Sequence, residues 1–264
     1  MRVPSYIYLY DGSMTEALKI YEIVEYMKDK LGNIKIERRL DFVSFYLDKL
    51  PSNKDMIAEK LALSRIKHID TNPIENVHNP PPVLPMEIEY ERQNIFCKSF
   101  GVLYDGFRIV SLFSEMISED EFGFDHCHIV FTNQLVGTWD ENDSRYHARV
   151  SVYSFPSIIS TTGIVEAPAK PREYYLKQRL GIDEMTLKNE FKGRFIDYDN
   201  PHLTEVMKGY VMQALFFHMM GEPFCGTKNC RLYNAHWQED VIRAQLGGDE
   251  FCDKHRAILS KVKK

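Results

Sequence analysis

Three cysteines and a histidine near the C-terminus constrain this chain more than any other feature. Cys225 and Cys230 are spaced Cys-x4-Cys, and Cys252 and His255 follow as Cys-x2-His. Zinc takes four tetrahedral sulfur and nitrogen ligands, and two close pairs separated by a longer loop are how one chain supplies them. A pair on a short turn loses little entropy when fixed, and the metal closes the loop between pairs. The spacing points to one structural zinc ion on Cys225, Cys230, Cys252 and His255. The alternative reading is three buried thiols and a surface histidine.

The run Met212-Gln-Ala-Leu-Phe-Phe-His218-Met-Met-Gly221-Glu-Pro-Phe-Cys225-Gly-Thr-Lys-Asn-Cys230 also resembles the archaemetzincin family of zinc peptidases. Their pattern is His-Glu-x-x-His-x-x-Gly-x-x-His-Cys-x4-Cys-x-Met, then a loop, then Cys-x-x-Cys. With His218 as the second histidine, Gly221 falls on the family's glycine, and Cys225 and Cys230 on its first two cysteines. Cys252 and His255 take the last two positions. The resemblance covers about forty-five residues, from Gln213 to Ile258.

The departures fall on the chemistry. Ala214 stands for the first histidine, Leu215 for the glutamate, Phe224 for the third histidine and Leu232 for the methionine. In the family, paired histidines one helical turn apart grip a catalytic zinc, and the glutamate activates its water. A catalytic zinc needs three protein ligands and an open position, and general acid–base help is worth about 10²–10⁴-fold in rate. Only His218 and Gly221 remain of the catalytic motif. The resemblance implies an α/β fold with a metzincin-like mixed sheet, an edge strand along a groove, a long active-site-type helix and a zinc-bound C-terminal segment. It implies a non-catalytic scaffold that binds a peptide or protein in the inherited groove.

Two other functions are weighed. One is a peptidase with a rebuilt metal site, in which His218 recruits Glu222 with His202 or His236. The other is a zinc-ribbon nucleic-acid binder. A net charge of −5, without Lys/Arg clustering beside the cysteines, disfavours nucleic acid. No apolar run reaches the roughly 18 residues of a membrane span. The start, Met-Arg-Val-Pro-Ser-Tyr, enters a strand pattern directly and lacks a signal-peptide apolar core. Five cysteines, mostly assigned to metal, suit a reducing cytoplasm.

Periodicity supplies the remaining expectations. Tyr6–Tyr10 reads as a strand, Asp11-Gly12 as a turn and Ser13–Glu16 as a capping box. A helix is expected over 14–31 and a strand over 33–38. A helix follows over 52–66, then a proline-rich loop over 71–85. The chain is expected to be one domain, 1–264, with two lobes, 1–71 and 86–264, joined by that loop. The loop itself reads as a stiff connector or as a docking motif for an aromatic groove.

Met86–Glu91 alternates as a strand, and Tyr104–Ile117 has helical spacing. Cys127–Phe131 reads as a buried strand that puts His126 and His128 on one side, with a second metal there as the sharper reading and ordinary hydrogen bonding as the plainer one. Asp140–Ser144 is an acidic loop. Strands are expected over 146–153 and 157–165. Helices are expected over 171–178, 183–192 and 202–221. The last carries the apolar run Val211–Met220, whose polar face is reduced to His218.

Overall fold

Alternation within one short strand sets the layering. Strand β1 (Tyr6–Asp11) sends Ile7 and Leu9 into one apolar cluster and Tyr8 and Tyr10 into another, and all four are buried. A strand buried on both faces needs helices on each side. The computed structural model describes residues 1–49, 53–73, 82–94 and 101–263. In it, β2 (Lys35–Leu40), β4 (His126–Thr132) and β8 (Ser157–Ser160) run parallel to β1, in the order β2, β1, β4, β8. The short β7 (Ser151–Val152) closes the sheet antiparallel to β8. Strands from both sides of the proline-rich loop therefore share one sheet.

A second sheet holds β3 (Leu103–Asp105), β5 (Leu135–Asp140) and β6 (Arg145–Arg149), with β5 parallel to β3 and antiparallel to β6. On one face of the main sheet, helices Ile20–Leu31 and Leu203–Met220 join Ile7, Leu9, Ile129 and Phe131 in the larger core. On the other, helices Phe42–Lys49, Lys54–Leu63 and Gly106–Met116 cover Tyr8, Tyr10 and Val130. The α/β class with a mixed sheet and one long helix is as expected.

Several local expectations give way to tertiary partners. The capping box does not form, and the first helix begins at Ile20. Ser13 donates instead to Asp11, the Met14 N–H to Asn133 Oδ1, and the Lys19 N–H to Thr204 Oγ1 from the long helix. Met86–Glu91 is not a strand but part of helix Pro85–Asn94. Proline suits a first helical position, and Glu91 is fully buried against Arg65 and the Tyr104 hydroxyl. Tyr104–Ile117 opens as strand, and its helix starts only where Asp105 caps the Phe107 and Arg108 N–H groups.

The expected strand over 146–153 divides between the two sheets at Val150. The strand from Ser157 ends at Ser160, whose hydroxyl accepts from the Gly163 N–H and starts the helical turn Gly163–Glu166. Helices Arg172–Arg179 and Glu184–Glu190 lie where expected. Most of the proline-rich loop lies outside the described residues.

The long helix is buried almost all round, which its apolar sequence requires. Gly221 ends it at φ 75°, the left-handed position that favours glycine, with its N–H on Phe217 O at 2.7 Å. Gly209 lets helix Gln238–Leu246 cross closely, because a Cβ there would sit 1.7 Å from Gln245 Oε1. Gln245 is itself buried and donates to Arg231 O at 2.9 Å. Gly209→Ala should cost about 1–3 kcal/mol as an overpacked site. Chemical denaturation would show it, and Gln245→Ala in the same chain should recover part of the loss.

Candidate metal centre and adjoining groove

Cys225 and Cys230 sit on a turn just after the long helix. The Cys225 N–H reaches Leu232 O at 2.7 Å and the Cys230 N–H reaches Thr227 O at 3.0 Å, so the backbone folds both thiols to one side. Cys252 is the N-cap of helix Asp253–Val262, and His255 lies in its first turn. The four donor atoms all lie within 4.8 Å of one another. Tetrahedral zinc with bonds of about 2.3 Å to sulfur and about 2.0–2.1 Å to nitrogen needs edges of about 3.8 Å between sulfurs and about 3.5 Å from sulfur to nitrogen. Cys225 Sγ to Cys252 Sγ is 3.8 Å, and Cys230 Sγ to His255 Nδ1 is 3.6 Å. Cys252 Sγ to His255 Nδ1 is shorter, 3.1 Å, a hydrogen-bond length. The donor set fits a structural metal.

The surroundings favour ligation. At Cys225, burial pushes the thiol up, but the Thr227 N–H at 3.3 Å, the Thr227 hydroxyl and the neighbouring thiols outweigh it and hold the pKa below its ordinary value. Burial pushes the Cys230 thiol up to about 11 and holds His255 below the usual imidazole range. A metal reverses the cost at Cys230, because it needs the thiolate. The edge of the His255 ring meets Phe216, 5.1 Å between centroids at 89°, which fixes its orientation.

A groove of about 440 Å³ runs beside this centre. Residues 148–153, from β6 into the edge strand β7, form one wall. Tyr210, Gln213 and Phe217 of the long helix, with Phe224 after its end, form another. Tyr233 to His236, just beyond the first cysteine pair, complete it.

Gln213 joins these parts. Its Oε1 accepts from the Tyr153 hydroxyl at 2.5 Å, and its Nε2 donates to Arg231 O at 3.1 Å and Tyr233 O at 3.2 Å. Burial raises the Tyr153 and Tyr210 phenols, so both stay protonated. The sequence reading reduced the helix's polar face to His218 and passed over Gln213. The signal was a lone amide within the run Val211–Met220.

The residual motif positions lie elsewhere. Ala214 and Leu215 are fully buried in the larger core. His218 does not line the groove; its Nε2 meets Phe124 O at 2.7 Å, and burial lowers its pKa. Glu222 accepts from the Phe224 N–H, and His202 stands at the far end of the 18-residue helix. His236 is on the groove, so these residues do not converge. His126 and His128 share a side of β4 and hydrogen-bond to Tyr8 and Tyr10 at 3.1 and 2.9 Å. Among the described residues, the quartet Cys225, Cys230, Cys252 and His255 is the only group of three or more His, Cys, Asp or Glu side chains placed to hold a metal. Among them too, no helix is long and apolar enough to cross a membrane.

The crystal structure of archaemetzincin from Methanopyrus kandleri is similar to this chain, with a TM-score of 0.45 and 12% identity over 98% of this chain and 95% of that one. No curated protein matches. The model of one family, described as "Probable metallopeptidase family (DUF6775)", matches residues 3–262. The chain belongs to this family.

Proposed function

We propose that this chain is a zinc-stabilised, catalytically silent member of its family whose groove binds an extended peptide or protein segment. One observation carries the reading: the groove face of the long helix presents Tyr210, Gln213 and Phe217, followed by Phe224, and none is a metal ligand of the usual kind or a base. Hydrolysis by a zinc-bound water needs three protein ligands, an open position and a general base beside it. Aromatic rings cannot offset the desolvation of a divalent ion. The quartet supplies four ligands, the closed arrangement of a structural site. Zinc on Cys225, Cys230, Cys252 and His255 would fix the segment after the long helix, and with it the wall at Tyr233 to His236.

The edge strand supports peptide binding. Among the described residues β7 pairs with β8 on one side only, and residues 148–153 line the groove consecutively. An extended segment added to a sheet edge gains main-chain hydrogen bonds from the edge and selectivity from side-chain pockets.

Metal analysis of protein purified without added metal, together with assays on peptide libraries, tests the proposal. One zinc per chain and no chelator-sensitive cleavage are expected. Two zinc ions per chain, or cleavage that a chelator abolishes and zinc restores, would overturn it in favour of a rebuilt catalytic site.

A further inference from the structure

Basic side chains outnumber acidic ones along the groove. Arg149 and His236 line it, and among the described residues no aspartate or glutamate does, although the chain as a whole carries −5. Arg149 Nε donates to Thr138 Oγ1 at 2.8 Å, which anchors one side of the guanidinium. Its Nη2 makes a long ion pair with Asp140 Oδ2 at 3.7 Å, and the side chain is 32% exposed. A planar fork anchored at Nε and only loosely paired at Nη2 suits a carboxylate arriving from the groove, since a closer two-bond contact outcompetes a long, part-exposed ion pair.

The other end of the same wall is aromatic. The Tyr153 ring meets Phe224 edge-on at 5.7 Å and lies tilted to Phe217 at 6.3 Å. Phe224 is 37% exposed, a large ring left half-open to the groove. Gln213 holds the Tyr153 hydroxyl, so the ring is fixed. Edge-to-face and offset pairs are the arrangements that a further aromatic ring would extend. Arg149 and Tyr153 are four residues apart, so at a strand rise of about 3.3 Å per residue the two features are at most about 13 Å from each other.

Resting on the peptide-binding reading above, we propose that the groove selects an acidic extended peptide. One ligand carboxylate pairs with Arg149, and one ligand aromatic side chain packs against Phe217 and Phe224, no more than four residues away along the ligand. The carboxylate supplies charge complementarity and the ring supplies buried area. A positional-scanning library of hexapeptides, read by fluorescence polarisation against full-length zinc-loaded protein, tests this. Asp or Glu should be selected together with Phe, Tyr or Trp, and binding of the selected peptides should weaken with salt.

Arg149→Gln should weaken the selected peptides about tenfold or more, the loss of one charge-assisted contact, and abolish the acidic preference while keeping the aromatic one. Arg149→Lys should restore part of the acidic preference, and Phe224→Ala should remove the aromatic one. Thermal melts of each variant verify folding. Selected peptides that lack an acid, or an acidic preference unchanged in folded Arg149→Gln, would overturn the inference and leave peptide binding intact. Failure of every peptide to bind would overturn both.

Discussion

Cys252→Ser should strip the metal from the quartet and loosen the C-terminal segment while the main sheet stays folded. Metal affinity is folding free energy wherever the site does not exist in the unfolded chain, about 10–16 kcal/mol in small zinc modules. Here the segment has other anchors, since Phe251 and Leu259 are buried in the larger core, so the chain should lose only part of that energy. The loss should concentrate where the ligands tie chain to chain: the turn around Cys225 and Cys230, and helix Asp253–Val262. The experiment pairs metal content with amide hydrogen exchange. Protection should fall across 225–262 and persist in β1 and β4, and chelation of the unmodified protein should give the same pattern. Full zinc occupancy in the serine variant would refute the site.

The second large effect lies on the other face of the sheet. Arg39 has a side chain only 5% exposed. It pairs with Glu121 through two bonds of 2.6 and 2.7 Å, with Glu37 at 2.7 Å, and donates to the Tyr10 hydroxyl at 3.0 Å. Its guanidinium carbon lies 3.6 Å from the centre of the Tyr8 ring. Arg39→Met should cost about 3–5 kcal/mol at neutral pH, because removing one partner leaves the other's charge uncompensated.

Acid should weaken the same network in the unmodified protein. The Arg39 hydrogen bonds hold Glu121 below the usual carboxylate range, so its contribution is present above its unfolded pKa and lost as pH falls through the folded one. His128 adds to this. Its Nε2 donates to Glu121 O at 3.0 Å, which leaves Nδ1 to accept from the Tyr10 hydroxyl. Burial lowers its pKa from 6.5 to about 4. Between those values the unfolded chain binds the proton and the folded one does not, so stability falls as pH falls, by about 2–3 kcal/mol in all. Urea unfolding from pH 7 to pH 4 should show that slope, and His128→Gln should flatten it. An Arg39→Met variant as stable as the parent would sink the network argument.

What could be read from sequence follows from how local each constraint is. The quartet was legible because ligand spacing is a property of short turns, and β1, β4 and the long helix were legible because burial imprints a period. Misreadings arose where a distant group competes. Ser13–Glu16 has the residues of a capping box, but Ser13 donates to Asp11, the Met14 N–H is taken by Asn133, and the helix starts only after Lys19, whose N–H goes to Thr204. Glu87, Glu89 and Glu91 alternate like a solvent face, yet Glu91 is buried by Arg65, which comes from another helix's end. Helices Gln238–Leu246 and Asp253–Val262 are absent from the sequence-based expectations, which in this stretch come from the cysteine and histidine spacing. At the groove, motif spacing singled out His218, while helix geometry turns Gln213 and Phe217 toward the cleft. One step of register is about 100° around a helix, and spacing alone does not fix that angle.

The bonds of Gln213 bind two events into one equilibrium. The same amide grips Tyr153, just past the edge strand, and the carbonyls of Arg231 and Tyr233, one and three residues past Cys230. Any state of the Cys230 turn in which those carbonyls shift also releases one wall of the groove. A metal that stabilises the turn would then raise the fraction of molecules able to accept the proposed ligand. By thermodynamic reciprocity the ligand must raise the affinity for the metal by the same factor. On the proposed reading, an ion that never touches the ligand would act as its effector, and the metal module would serve as a tuning element for recognition.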